Sequence, residues 1–370
     1  IIGDARGMGL NILLETGYGN PVYPGGGGFD LAGGFPTSEE GLAAWDRWVE
    51  AMATRYAGKV RDWAMWNEPD INKQHKPADI AAFNIRTAEI IKRIIPDARI
   101  AGLSLASSNP KLLDQCLGAL AEKGKVDLFH WFIYHGYEFN PDSSYPKVEA
   151  LKATLAKYSK TARMRQGENG CPSETATRFA LSNHPWTEYS QAKWDLRRML
   201  GDLGHDVESA VFTICDFNHT GREINRKGLL HATADKRVDG IKLAYYAVQN
   251  TAAVFDNTLA RVTVPAVSVM ADTSSACFAY RHVKSGSPLV VPDRAGPSTL
   301  VRIGKTDLLF DCGRAVLMRG AAVGMMARDL TALFVTHMHS DHTTDYNDII
   351  TTRWISNVEP RPLLAFGPVG

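Results

Sequence analysis

From residue 11 to about residue 250 this sequence alternates short apolar runs with longer stretches of helical periodicity, and that alternation limits the fold more than any other feature. Strand-length apolar runs separated by amphipathic helical patterns predict repeated βα units and a parallel sheet. The runs are NILLET (11–16), RDWAMWNE (61–68), ARIAGLSLA (98–106), VDLFHWFIYH (126–135), ARMRQGE (162–168) and SAVFTICDF (209–217). Between the first two, Thr37 and Glu40 have the spacing of a capping box, and Leu42, Trp45, Trp48, Met52 and Tyr56 follow at helical spacing. A second helix is predicted from near Asp79, burying Ile80, Phe83, Ile90, Ile91 and Ile94 and stopping before Pro96. Further helices are predicted over 110–123, 145–158, 188–203 and 239–254. Trp and Met within these stripes are expected to pack the core rather than contact a cofactor.

Past residue 257 the pattern turns β-rich, over 259–271 and 276–283, and a Gly/Pro/Ser-rich stretch at 285–297 reads as a boundary. Two strand patterns (STLVRI, TDLLFDCG), a helix around 315–326 and a third strand (TALFVTH) follow. The expected organisation is therefore an α/β unit over 1–257, a β fragment over 258–290 and a second αβ unit over 291–370. A formal net charge of +1 gives no field for nucleic acid or an anionic membrane, so neither is an expected partner. Cys116, Cys171, Cys215, Cys277 and Cys312 lack C-x-x-C spacing and are odd in number, which argues against a disulfide framework. A reducing, cytoplasmic setting is expected. The chain opens without the basic start or cleavage site of a signal peptide, and no apolar run is long enough to span a bilayer.

Two carboxylates stand out. WAMWNEPD places Glu68 at the C-terminal end of a predicted parallel strand, and ARMRQGENG places Glu168 at the same edge three strands later. Active sites of barrels lie at that edge. Glycosidic cleavage needs one carboxyl group to protonate the leaving oxygen and another to attack the anomeric carbon. A lone strand-end Glu is more often a salt-bridged or capping residue than a catalytic one, so the neighbours decide.

With its WNEP motif, the stretch 11–257 resembles the clan A glycoside hydrolases, in which Asn-Glu-Pro ends the fourth strand and the nucleophile ends the seventh. That resemblance implies an incomplete (β/α)8 barrel containing strands three to eight, with Glu68 as acid/base and Glu168 as nucleophile of a retaining mechanism. It also implies that Asn67 binds the sugar 2-hydroxyl, and that the pair of carboxyl groups keeps Glu68 protonated near neutral pH. No cofactor is implied, and the partner is a β-linked carbohydrate. In WFIYHGY the candidates for orienting the nucleophile and flooring the sugar site are Tyr134, His135 and Tyr137, with core packing equally open for Tyr134 and His135. Trp66, Trp131 and Phe217 are candidates for stacking on sugar, Trp131 being more readily a core residue. Asn20, Tyr23, Asn218 and His219 lie at the same rim without a distinguishing motif. The stretch NRKGLLHATADKRVDGIKLAYYAVQNTAAVF is similar to the last barrel segment of family 39 β-xylosidase-like enzymes, and the run after 258 resembles the start of their accessory β-sandwich.

LFVTHMHSDHTTD sets His337, His339, Asp341 and His342 directly after a predicted strand. Alternating imidazoles with a carboxylate suit Zn²⁺. With GPSTLVRIGKTDLLFDCG, this motif makes 296–370 resemble the amino-terminal half of the metallo-β-lactamase fold, near ribonuclease Z and the arylsulfatase-like branch. In that family further ligands come from later strands, and no His follows His342 here. The resemblance thus implies a mononuclear or weak metal site. Basic and acidic residues balance beyond Ser285, where phosphate binding wants a positive face. Two partial domains of unrelated kinds suggest a chimeric frame lacking the first two barrel units. Three readings stay open: a retaining glycosidase, a zinc-dependent hydrolase of phosphodiesters, esters or sulfates, and an inactive carbohydrate-binding remnant.

Overall fold

The computed structural model describes residues 1–30, 32–218, 223–256, 258–262, 277–284, 288–292, 298–313, 315–357, 359 and 361–368. The expected rim residue His219 lies outside them. The chain divides into two compact units, Ile1–Thr251 and Ala252–Gly370.

The first unit is a mixed α/β structure. After a short helix α1 (Ile2–Gly7), five strands form one parallel sheet in sequential order: β1 (Leu13–Thr16), β2 (Asp62–Met65), β3 (Arg99–Leu105), β4 (Trp131–His135) and β5 (Arg163–Glu168). Helices α2 (Glu39–Tyr56), α3 (Pro77–Ile94), α4 (Pro110–Glu122) and α5 (Tyr145–Leu155) connect them, and α6 (Glu188–Gly204) follows β5. The cap of α2 is Ser38, whose hydroxyl accepts from the Gly41 N–H at 2.9 Å, one residue later than the Thr37 spacing suggests. Its buried stripe is Gly41, Trp45, Val49 and Ala53, so Trp48 sits at the solvent margin. At α3 the Asp79 carboxylate accepts the Lys76 N–H at 3.2 Å, and Pro77 at the first turn needs no acceptor of its own.

Period-two alternation gives the sheet two unlike faces. Trp63, Met65, Ile100, Phe132, Tyr134 and Met164 belong to the main core with the helices' buried stripes. Each such side chain, fully buried, contributes about 1.5–3 kcal/mol. The opposite face carries a smaller cluster of Leu13, Ala64, Ala101, Trp131 and Ile133. Trp131 is held there by the guanidinium groups of Arg99 and Arg165, 4.7 and 5.2 Å from its ring, and donates to Glu208 at 3.0 Å. It is a packing residue.

The run 209–217 does not become a sixth ladder strand. Single bridges join Arg165 to Glu208 and Cys215 to Leu230, and among the described residues only the two-residue strand β6 (Phe217–Asn218) forms, antiparallel to β7 (Ile224–Asn225). A buried ionic cluster replaces the ladder: Asp216 accepts from Lys242 Nζ at 2.6 Å, Arg226 Nη1 at 3.1 Å and the Gly228 N–H at 3.0 Å. A charged residue at an expected core position draws the segment toward its partners instead of the sheet. The pair β8 (Leu230–Ala232) and β9 (Val238–Ile241) precedes α7 (Leu243–Val254), so the last expected helix begins later than position 239.

In the second unit β10 (Leu259–Val262), β11 (Cys277–His282) and β12 (Pro288–Pro292) form an antiparallel sheet. The stretch read as a boundary therefore contains a paired strand. A four-stranded sheet follows: β13 (Thr299–Ile303) antiparallel to β14 (Thr306–Phe310), then β15 (Leu330–Phe334) and β16 (Leu364–Phe366) parallel to it. Helices α8 (Val316–Ala322), α9 (Ser340–Thr343) and α10 (Tyr346–Ser356) accompany it. Leu300, Leu309, Cys312, Val316, Met325, Leu330, Leu333 and Ile349 form its core. Cys116, Cys171, Cys215 and Cys312 are free thiols. Among the described residues no helix is long and apolar enough to cross a membrane.

Candidate active site

The C-terminal edge of the five-stranded sheet gathers the carboxylates. Beyond β2 the chain turns sharply, with Trp66 at φ 50° and Glu68 at φ 51°. A bulky residue in the left-handed region is a true outlier, costing about 1–3 kcal/mol, and persists only where its surroundings impose it. Here they do: the Trp66 N–H donates to Thr16 O at 2.7 Å and the Glu68 N–H to Ser104 O at 2.9 Å, stitching this turn to the ends of β1 and β3. On β3, Leu103 and Ser104 also have positive φ, and the register with β4 slips there by one residue.

A second slip aims Glu168. Tyr134 pairs with Gln166 but His135 pairs with Glu168, so Gly167 is an extra residue in β5. Without this bulge Gly167 would stand opposite His135 and Glu168 would point to the other face. Only glycine fits, because a Cβ at 167 would lie 2.3 Å from Ile133 Cγ2.

The result is a compact triad. His135 Nδ1 shares a hydrogen bond with Glu68 Oε1 at 2.7 Å and lies 3.9 Å from Glu168 Oε2. Tyr137 donates to Glu168 Oε1 at 2.6 Å. One donor atom from each of Glu68, His135 and Glu168 falls within 4.8 Å of the others. His135 is almost wholly buried, whereas the two glutamates keep 13% and 19% side-chain exposure, enough to meet a ligand. The triad could ligate a cation in principle, but two ligands of one tetrahedral zinc stand about 3.3 Å apart. The 2.7 Å contact is a hydrogen bond.

Other sequence candidates divide. Asn67, half-buried, lies beside Tyr18. Trp66 is fully buried among Tyr18, Phe35, Trp45 and Phe83, so it packs the core and presents no face to a sugar. Tyr134, one position out of phase with His135, points into the helix-side core and likewise meets no ligand. Phe217 is half-buried with its ring 5.6 Å from Phe212, Asn218 is exposed, and Asn20 and Tyr23 build a loop turn.

Three further groups act on the triad without having been singled out from sequence. Glu15 on β1 interacts with the charges of His135, Glu168 and Glu68. Tyr18 is pushed up to about 12 by burial and then by Glu15, with the neighbouring Asn67 amide opposing. Lys227, 1% exposed, lies 5.4 Å from the Tyr137 ring, and burial lowers its ammonium to about 8 against the pull of Cys171 and Glu168. Burial, then Glu168, holds the Tyr137 phenol well above the ordinary tyrosine value.

In the second unit the His337 ring stands 4.6 Å from His339 and 3.9 Å from His342. His342 Nδ1 is hydrogen-bonded to Asp311 Oδ2 at 2.7 Å, and its Nε2 lies 3.6 Å from Asp341. Asp311, an orienting carboxylate missed in LLFDCG, is itself fixed by Thr336. Burial and the neighbouring His342 and His339 hold His337 below the ordinary histidine range. Among the described residues, three donor atoms converge only at Glu68, His135 and Glu168. The histidine set is ordered by its carboxylate partner but does not close around a metal ion.

The family profile of the metallo-beta-lactamase superfamily matches residues 291–368. Ribonuclease Z from Mycobacterium marinum is 52% identical over 88 residues, 23% of this chain and 32% of that protein. Ribonuclease Z from Mycobacterium avium is 53% identical over 88 residues, 23% of this chain and 31% of its own. The chain thus spans about a third of the length of these curated relatives. In structure it is similar to a family 39 glycoside hydrolase from the gut symbiont Bacteroides cellulosilyticus WH2, with a TM-score of 0.58 and 17% identity over 82% of this chain and 61% of that one. It is also similar to a monomeric β-xylosidase from Caulobacter crescentus CB15, with a TM-score of 0.52 and 15% identity over 75% and 60% of the two chains. At these identities the likeness is one of fold. Sequence similar to ribonuclease Z and a fold similar to family 39 hydrolases thus meet in one chain.

Proposed function

We propose that the first unit is a retaining glycoside hydrolase whose five parallel strands correspond to strands three to seven of a (β/α)8 barrel, with Glu68 as acid/base and Glu168 as nucleophile. The observation that carries this reading is the approach of the Glu68 and Glu168 oxygens to within 4.8 Å across His135. Carboxyl groups of retaining enzymes stand about 5–5.5 Å apart, whereas inverting enzymes need about 6.5–9.5 Å to seat a water. Tyr137 occupies one oxygen of Glu168 and leaves Oε2 for the anomeric carbon. Attack by Oε2 forms the glycosyl ester as Glu68 protonates the departing oxygen; Glu68 then takes a proton from the water that cleaves the ester. Asn67, next to Glu68 and beside Tyr18, would hold the sugar 2-hydroxyl.

A 2-fluoro glycoside with a good leaving group tests this. Intact-mass and peptide analysis should find one adduct, on Glu168, and Glu168→Gln should abolish both adduct and nitrophenyl-glycoside turnover. Turnover surviving in Glu168→Gln would sink the assignment.

For 291–370 we infer a part of a metallo-β-lactamase fold whose histidines bind metal weakly. The support is the Asp311–His342 contact, which sets the tautomer as orienting carboxylates do, beside donor atoms that do not converge. No hydrolytic step is derived for this unit.

A further inference from the structure

Alternation along β1 puts Leu13 and Glu15 on one face. Leu13 packs with Ala64, Ala101, Trp131 and Ile133. Glu15 therefore stands one layer nearer the C-terminal edge, on the face from which His135 projects two residues beyond Ile133. Its side chain is open to solvent, as a group meeting a substrate must be.

We propose that Glu15 is a third working carboxyl group of this site, a substrate-facing residue on β1 that hydrogen-bonds a sugar hydroxyl across the centre from Glu168. The inference rests on the glycosidase reading above.

Enclosure by the surrounding protein pushes this carboxyl up to about 7, and the charges of Glu168 and Glu68 push the same way while His135 opposes them. Water along its open side moderates the first cause, but the like charges remain. The groups facing it are Glu68 beyond β2, His135 on β4, Glu168 on β5 and Tyr18 beyond β1, with Tyr137 and Lys227 acting on Glu168. An ionised Glu15 would add a second negative charge beside that of Glu168 around one sugar. A neutral one donates its O–H to a hydroxyl oxygen and leaves the charge on Glu168 and the transferable proton on Glu68.

The test uses the full chain. In kcat/KM against pH for a nitrophenyl glycoside, Glu15→Gln, a neutral donor of the same shape, should stay within about threefold of wild type on the acid side and lose an alkaline limb that lies above the ordinary carboxylate range. Glu15→Ala should lose about fivefold or more, through KM. Both variants matching wild type, or the limb persisting in Glu15→Gln, would overturn the proposal. A readout free of turnover is carboxyl ¹³C NMR of glutamate-labelled chain, expected to show a resonance titrating above the ordinary glutamate range that Glu15→Gln removes and that xylose or glucose displaces. Absence of that resonance, or its indifference to both sugars, overturns the assignment of Glu15. Displacement by sugar in a chain that neither turns over substrate nor forms an adduct leaves Glu15 in place and refutes the glycosidase reading instead.

Discussion

Replacing Tyr137 by Phe deletes one hydrogen bond, the 2.6 Å donation to Glu168 Oε1, and leaves the ring. A hydrogen bond to a charged group contributes about 1.5–3 kcal/mol. When Glu168 attacks, its charge is spent and the bond weakens; when the glycosyl ester is hydrolysed, the charge returns and the bond strengthens. With roughly half the charge restored in the second transition state, the loss falls on that step at about 0.75–1.5 kcal/mol, roughly 4- to 13-fold in rate. Tyr137→Phe should therefore lower kcat for an activated nitrophenyl glycoside by that factor while kcat/KM, which reports the first step, does not fall, because the fully charged Glu168 of the free enzyme loses more than the half-charged first transition state. KM falls with kcat, a nitrophenol burst grows, and the covalent glycosyl-enzyme becomes visible by intact mass. Because burial and Glu168 keep the phenol protonated well above the ordinary tyrosine range, the defect should be flat from about pH 5 to 9. Equal losses in kcat and kcat/KM, with no burst, would show that Tyr137 does not follow the charge on Glu168.

Lys227 should cost stability rather than supply it. Burial lets the folded chain release its ammonium proton near 8, while the unfolded chain holds it to 10.5; between those values the unfolded state binds more protons, so stability rises with pH across that window. Lys227→Met should then stabilise the chain by about 1–3 kcal/mol near pH 7 and flatten that rise, as read by urea unfolding at about pH 7 and 9.5; a loss of stability at both would refute it. Trp66→Ala should cost about 3–5 kcal/mol through the cavity left among its aromatic neighbours, and Trp66→Phe should cost less without raising KM. A tenfold rise in KM at unchanged stability would put that ring against the sugar after all.

Sequence periodicity identified five of six strands because each alternates with a helix whose buried stripe is unambiguous. It misplaced 209–217 because the apolar residues around Asp216 look like a strand until Lys242 and Arg226, later in sequence, are brought to that carboxylate. The WNEP and QGE motifs located the two catalytic candidates, since both lie at strand ends. Tyr134 and Trp66 were harder, because adjacent residues at a strand end differ only by phase, and phase is set by bulges. Glu15 had a readable signal, a charge two residues beyond Leu13 in an apolar run, but no local motif says what stands opposite it. Lys227 had none, because its burial depends on packing against Tyr137 and Phe179.

What holds the two glutamates together bears on how much of a barrel the site needs. Glu68 is fixed by backbone bonds to the ends of β1 and β3, His135 by β4, and Glu168 by the Gly167 bulge against β4. Each link is to a neighbouring strand of one sheet, and none of these bonds passes through the segment after β5. Disorder introduced at Asp216 should accordingly loosen 209–242 while the spacing of the triad persists. A bulkier residue at Gly167 should do the reverse, because a Cβ there meets Ile133 and the slip that turns Glu168 toward His135 is lost.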